Sequence, residues 1–179
     1  NAPQKVLFVG QMKTGTATAG ALTSNIGNAG EEDDLFGATS MLSQMVRQAR
    51  RINKVTQFDA IALADDAGGT AATGTVVFTG TSTAAGTLVV SIGSGYNYAF
   101  SLTIASGTTA SNVGVALAAA ITAATDAPFT AANVSVTVTI TCVHKGEVGN
   151  NMGYKVEGAV AGITAALTVP TNGATNPTL

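Results

Sequence analysis

Charge is scarce in this chain. Of its 179 residues only 10% are Asp, Glu, Lys or Arg, against roughly 25% in an average soluble domain. The formal charge is −2 and no block of Lys and Arg occurs, which argues against a nucleic-acid partner, because phosphate binding needs clustered cations. A single cysteine, Cys142, excludes an internal disulfide framework and fits a reducing compartment. Tryptophan is absent and there is one histidine, His144, so conventional acid–base chemistry has almost nothing to work with. No run reaches the ~18 consecutive apolar residues of a membrane span. The N-terminus lacks the charged-then-apolar pattern of a secretory signal. Asn1 stands where a start methionine would be, so the chain is expected to be a processed product or a piece of a longer one.

What is present is apolar and small. Hydrophobic residues make up 46% of the chain, enough for a real core. Ala, Thr, Gly and Val dominate, a composition suited to strands and tight turns. The few charges are concentrated before residue 67. Between Ala67 and Thr125 there is none. The border is the turn-rich DDAGGTAATG, Asp65 to Gly74, and a domain boundary is placed there.

Residues 1–66 read as an incomplete α/β unit. KVLFVG and FDAIALAD are two buried strands. EEDDLFG suits a short helix with acids at its positive end and a glycine stop. In ATSMLSQMVRQARRI, the residues Ala38, Met41, Leu42, Met45, Ala49 and Ile52 recur at helical spacing and predict one buried face. Arg47, Arg50 and Arg51 lie near that helix's C-terminal end. The missing strands are expected from elsewhere in a longer chain.

Residues 67–170 read as a β-rich module. GTVVFTG, GTLVVSIGSG, YNYAFSLTI, VSVTVTITC, MGYKVEG and ITAALTV give five to six mainly antiparallel strands. Val134, Val136, Val138, Ile140 and Cys142 alternate with Ser and Thr, one face packed and one wet. TTASNVGVALAAAITAAT is a helix capped by Thr108 or Thr109 that covers the sheet. The fold class is therefore α+β. PTNGATNP, within residues 171–179, reads as an exit segment.

Four candidate sites follow. GQMKTGT, Gly10 to Thr16, has the G-x-x-x-x-G spacing of a phosphate loop, but Thr16 takes the place of its lysine. Glu31, Glu32, Asp33 and Asp34 stand in a row, whereas calcium loops alternate their ligands, so a solvated helix start is expected. Cys142 and His144 share a strand face, yet no second Cys or His completes a zinc set. HKGEVGN, residues 144–150, has the glycines and asparagines of a strand connection. Its His144 lacks a nucleophile partner of triad type, and His144→Ala is expected to leave the fold largely intact. No catalytic, cofactor-binding or metal residue is assigned, and no enzyme is expected.

The order of segments carries a resemblance. VLFVGQ, GTATAG, LFGATSMLSQMVRQAR, ALADDAGGTAATGTVVFTGTSTAAGTLVVSIG, VTITCVHKGEVGN and NGATNP together resemble the tail sheath proteins of Mu-like contractile-tailed bacteriophages, from about Val6 to Pro177. The resemblance implies a structural subunit that polymerises with other sheath subunits around a tail tube and contracts on a baseplate trigger. It implies a place in the virion tail, assembly in the bacterial cytoplasm, and no nucleic-acid or membrane partner. Such proteins are longer, so the chain is expected to lack the N-terminal arm and C-terminal part and to be monomeric alone. Residues 67–170 are then expected outside and 1–66 nearer the tube. The competing expectation is a carbohydrate- or surface-binding module of a tail fibre or adhesin. It would need exposed aromatics, and Tyr96 and Tyr98 alternate instead into an apolar strand face.

Overall fold

A computed structural model describes residues 4–93, 95 and 97–179. The fold is α+β, with three helices and ten strands among the described residues. Strands β1 (Lys5–Gln11) and β3 (Gln57–Leu63) pair in parallel, and β2 (Leu22–Ile26) adds antiparallel to β3. The first unit thus has a third strand that the sequence reading missed. LTSNI is short and irregular: its register shifts between Thr23 and Ile26, and Asn25 has a positive φ of 61°. The Asn25 N–H donates to the Asp59 carboxylate at 2.9 Å, a side-chain bond where the ladder slips.

Helices α1 (Glu31–Phe36) and α2 (Met41–Ile52) lie in the connection before β3, and α2 packs on β1 and β3. Phe36, Leu42 and Val46 are fully buried with Met12, Ile26, Phe58, Ala60 and Ala62 in one small core. Two expectations fail here. Ile52 is 90% exposed and Met45 36%, and the buried face is instead Leu42, Ser43 and Val46. The acids of α1 are not a simple solvated start. Glu32 is 3% exposed and paired with Arg50 at 2.6 Å, and Asp33 pairs with Arg47 and Ser43. Arg47 and Arg50, near the C-terminal end of α2, therefore bind α1 to α2. Ser40 caps α2, its buried hydroxyl accepting from Ser43 N–H at 3.0 Å. Ser40→Ala is expected to cost about 1 kcal/mol, readable as a lowered midpoint in urea unfolding.

The remaining strands are β4 (Ala71–Gly80), β5 (Gly86–Gly93), β6 (Tyr98–Ile104), β7 (Phe129–Val134), β8 (Thr137–Lys145), β9 (Gly153–Glu157) and β10 (Ile163–Thr171). They form two antiparallel sheets, ordered β10-β4-β8-β7 and β6-β5-β9. Seven strands stand where five or six were expected. The extra one is β7. The alternation beginning at Val134 is broken by a hairpin turn at Ser135, whose φ is 57°. Val134 pairs across that turn with Thr137 and is 75% exposed. Beyond the turn the alternation holds: Val138, Ile140, Cys142 and His144 are all buried.

Helix α3 (Ala110–Ala123) is capped by Thr109 and packs against β4, β7 and β8 of one sheet and β6 of the other. Its Val113, Leu117 and Ile121 complete a second, larger core with Val76, Phe78, Val90, Ile92 and Ile140. The two cores are separate clusters. What joins their facing ends is polar.

Candidate functional site

The junction forms where three strands end. Gln11 closes β1, Asp65 follows β3, and Val143 to Lys145 close β8. His144 lies on the buried face of β8, in phase with Cys142, and is 2% exposed. Its Nε2 accepts from the backbone N–H of Met41 at 2.9 Å, the first residue of α2. That N–H is one of the donors a helix start leaves without an intrahelical partner. Because Nε2 accepts, the ring proton sits on Nδ1 and points at Asp65 Oδ1, 3.1 Å away. One imidazole thus caps a helix of the first unit from a strand of the second.

Asp65 gathers the other donors. Gln11 Nε2 donates to it at 3.0 Å and Lys13 Nζ at 2.7 Å. Both donors also reach across to β8: Gln11 to the Lys145 carbonyl at 2.9 Å and Lys13 to that of Val143. Lys145 returns the link, its ammonium donating to the Ala67 carbonyl at 2.9 Å. Burial pushes the Asp65 carboxyl up, but hydrogen bonds from Lys13 and His144 outweigh it and hold the carboxyl below its usual value. For His144, burial is the largest influence and the ring is held below the usual histidine value, although Asp65 pulls the other way. The pair is therefore a carboxylate beside a neutral imidazole at pH 7.

This arrangement holds structure and is unsuited to acid–base catalysis. A triad histidine offers its second nitrogen to a nucleophile, and here that nitrogen is taken by the Met41 backbone amide. The expectation that residues 144–150 do little more than shape a bend is corrected. His144→Ala is expected to cost about 2 kcal/mol, since the Met41 N–H loses its acceptor where water has only partial access, and urea unfolding measures it. Cys142 is buried and its thiol is pushed up by burial. Among the described residues, no three His, Cys, Asp or Glu side chains are grouped to hold a metal.

The GQMKTGT loop lies on α1. Lys13, Thr16 and Ala17 donate their backbone N–H groups to the carbonyls of Phe36, Asp34 and Leu35. Those amides cannot also cradle a phosphate. Gly15 permits the contact, since a Cβ there would lie 2.1 Å from the Leu35 carbonyl oxygen. Glu31 turns back on the loop before α1, accepting from Gly27 and Asn28 N–H, and these backbone bonds lower its carboxyl's affinity for a proton. Tyr98 is half-buried, stacks edge-on against Phe129 and donates to the Asp126 carbonyl. Tyr96 lies outside the described residues.

The 144–150 segment is also tied to the end of the chain. A turn of 3₁₀ helix at Glu147–Gly149 follows β8. Asn150 exchanges two hydrogen bonds with the Gly173 backbone, and the Glu147 N–H donates to Asn176 Oδ1. Ala174 bridges Thr70, beside the border between the cores. Sequence reasoning missed Gln11, Lys13 and Asp65 and placed His144 in a connection, although a period of two puts that ring on the same face as Cys142.

No protein-family profile matches the chain. A curated relative does: a "Mu-like prophage FluMu tail sheath protein" from Haemophilus influenzae is 36% identical over 179 residues, 97% of this chain. The chain spans 36% of that relative's length. Over nearly its whole length, then, the chain is similar to a tail sheath protein of a Mu-like prophage, as the order of its segments implied.

Proposed function

We propose that this chain is a rigid body of a contractile tail sheath subunit. It polymerises with other subunits around a tail tube, and a rearrangement begun at the baseplate shortens the sheath and drives the tube through the host envelope. The observation that carries this reading is the similarity to a tail sheath protein along 97% of the chain. A physical argument supports it. A contracting lattice needs stiff bodies that keep their shape while their contacts change. Here two separate cores are joined by partly buried, directional hydrogen bonds rather than by a bare flexible linker.

In this reading the protein acts through assembly, without catalysis, cofactor, metal or nucleic acid. It resides in the virion tail after assembly in the host cytoplasm. Residues 67–170 form the outward module, 1–66 lie nearer the tube, and 171–179 lead on from the junction. This chain by itself is monomeric. No helix among the described residues is long and apolar enough to cross a membrane. The carbohydrate-binding alternative gains nothing from Tyr98, whose ring and hydroxyl are both engaged inside the module.

Expression of the whole reading frame that encodes this chain, followed by negative-stain microscopy, tests the proposal. Hollow striated tubes are the expected product. Dispersed particles that bind a glycan array would overturn it in favour of the surface-binding module.

A further inference from the structure

We propose that the His144 junction is an acid-sensitive latch: protonation of the imidazole releases the N-terminus of α2 from strand β8 of the β-rich module. The argument rests on atoms, and it stands whether or not the chain is part of a sheath. Nε2 of His144 holds the Met41 N–H at 2.9 Å as an acceptor. An imidazolium carries a proton on both nitrogens, so Nε2–H would confront Met41 N–H, donor against donor. The bond cannot survive the charge change. The positive end of the α2 dipole lies at the same place and adds to the repulsion.

The groups facing the ring decide how readily this happens. From the segment after β3, Asp65 Oδ1 lies 3.1 Å from Nδ1 and favours the cation. From the loop after β1, the Lys13 ammonium shares that carboxylate and disfavours it. Cys142 on the same strand is a buried neutral thiol, and Lys145 turns its ammonium to the Asp66 and Ala67 carbonyls. The first turn of α2 contributes no acidic group. With the ring 2% exposed, desolvation sides with Lys13 and the helix, so the neutral form is kept at pH 7.

Two further features set the extent of the release. The cores are separate hydrophobic clusters, so freeing the start of α2 leaves the larger core in place. The other ties near it do not depend on the ring: Gln11 and Lys13 also donate to the Lys145 and Val143 carbonyls of β8, and Gln44 of α2 donates to the Asp126 carbonyl at 2.9 Å, so what protonation frees is the start of α2. The sign follows from linkage. The folded ring has a lowered pKa, so its contribution is present above the unfolded histidine value of about 6.5 and is lost as pH falls below it. Asp65, also lowered, gives way only below about pH 4. Of the junction's pair, His144 therefore gives way first on acidification.

The test is NMR of the full chain between about pH 7 and about pH 4.5, the range in which a histidine titrates. It follows the His144 ring protons and the hydrogen-exchange protection of the Met41 amide, normalised to its intrinsic rate. Protection at Met41 is expected to fall about tenfold or more in step with the ring's titration, while amides of β4 keep theirs. In His144→Gln, which keeps an acceptor but cannot be protonated, Met41 protection is expected to stay level. The latch is overturned if wild-type protection stays level through the ring's titration, or if the glutamine variant loses it over the same range. Should that variant fail to fold, the wild-type comparison of ring and amide decides alone.

Discussion

Phe36→Ala is expected to destabilise the α1–α2 unit by about 3–5 kcal/mol. Phe36 ends α1, is fully buried, and sits directly before the glycine that stops the helix. Its ring is the largest fully buried side chain of a core with only eight buried hydrophobic residues. So small a cluster cannot close over the lost volume, and the cavity adds to the lost transfer energy. The backbone matters too, because the Phe36 carbonyl accepts from Lys13 N–H and fixes the loop that carries Lys13 to Asp65. Hydrogen exchange by mass spectrometry checks the outcome. Strand β3 should exchange far faster, while β4 and β8, in the larger core, keep their protection. Equal loss in both cores would show that they unfold as one unit and that their separation into clusters has no energetic meaning.

Asp65→Ala has the second largest expected effect, about 3 kcal/mol. The substitution strands three donors at once: His144 Nδ1–H, the Lys13 ammonium and the Gln11 amide. The Asp65 side chain is 13% exposed and that of His144 3%, so water replaces the carboxylate poorly. Each stranded buried donor costs about 1–3 kcal/mol, reduced here because Lys13 is partly exposed and Gln11 keeps its bond to the Lys145 carbonyl. The effect should also depend on pH. The Asp65 carboxyl is held below its usual value, so its contribution is present at neutral pH and is lost as pH falls below about 4. Urea midpoints of wild type and variant should therefore converge in strong acid and separate above it. A constant difference at all pH values would assign the effect to packing.

Much of the fold could be read from local pattern. The period of two in β4, β6 and β8 is strict, and burial follows it to the residue. Helix α2 was legible from part of its apolar spacing, and α3 from its spacing and from a cap at Thr108 or Thr109, of which Thr109 is the one used. Three things were not. Strand β2 is too short and too irregular to alternate visibly. The β7–β8 hairpin hides in a run whose residue types go on alternating through Ser135 although the chain turns there. The junction joins Asp65 to His144 across 79 positions, and no local period couples a carboxylate at one strand's end to an imidazole on another. His144 itself sits in phase with Cys142, so its burial was within reach of the pattern. Its partners required the fold.

The central claim is that this chain is a repeating body of a tail sheath. Gold-labelled antibody raised against the chain, applied to intact contractile tails from cells that encode it, tests that claim most directly. The account predicts label at intervals along the whole sheath, in both long and short tails. Label confined to fibres or to the baseplate, with the shaft bare, would contradict it.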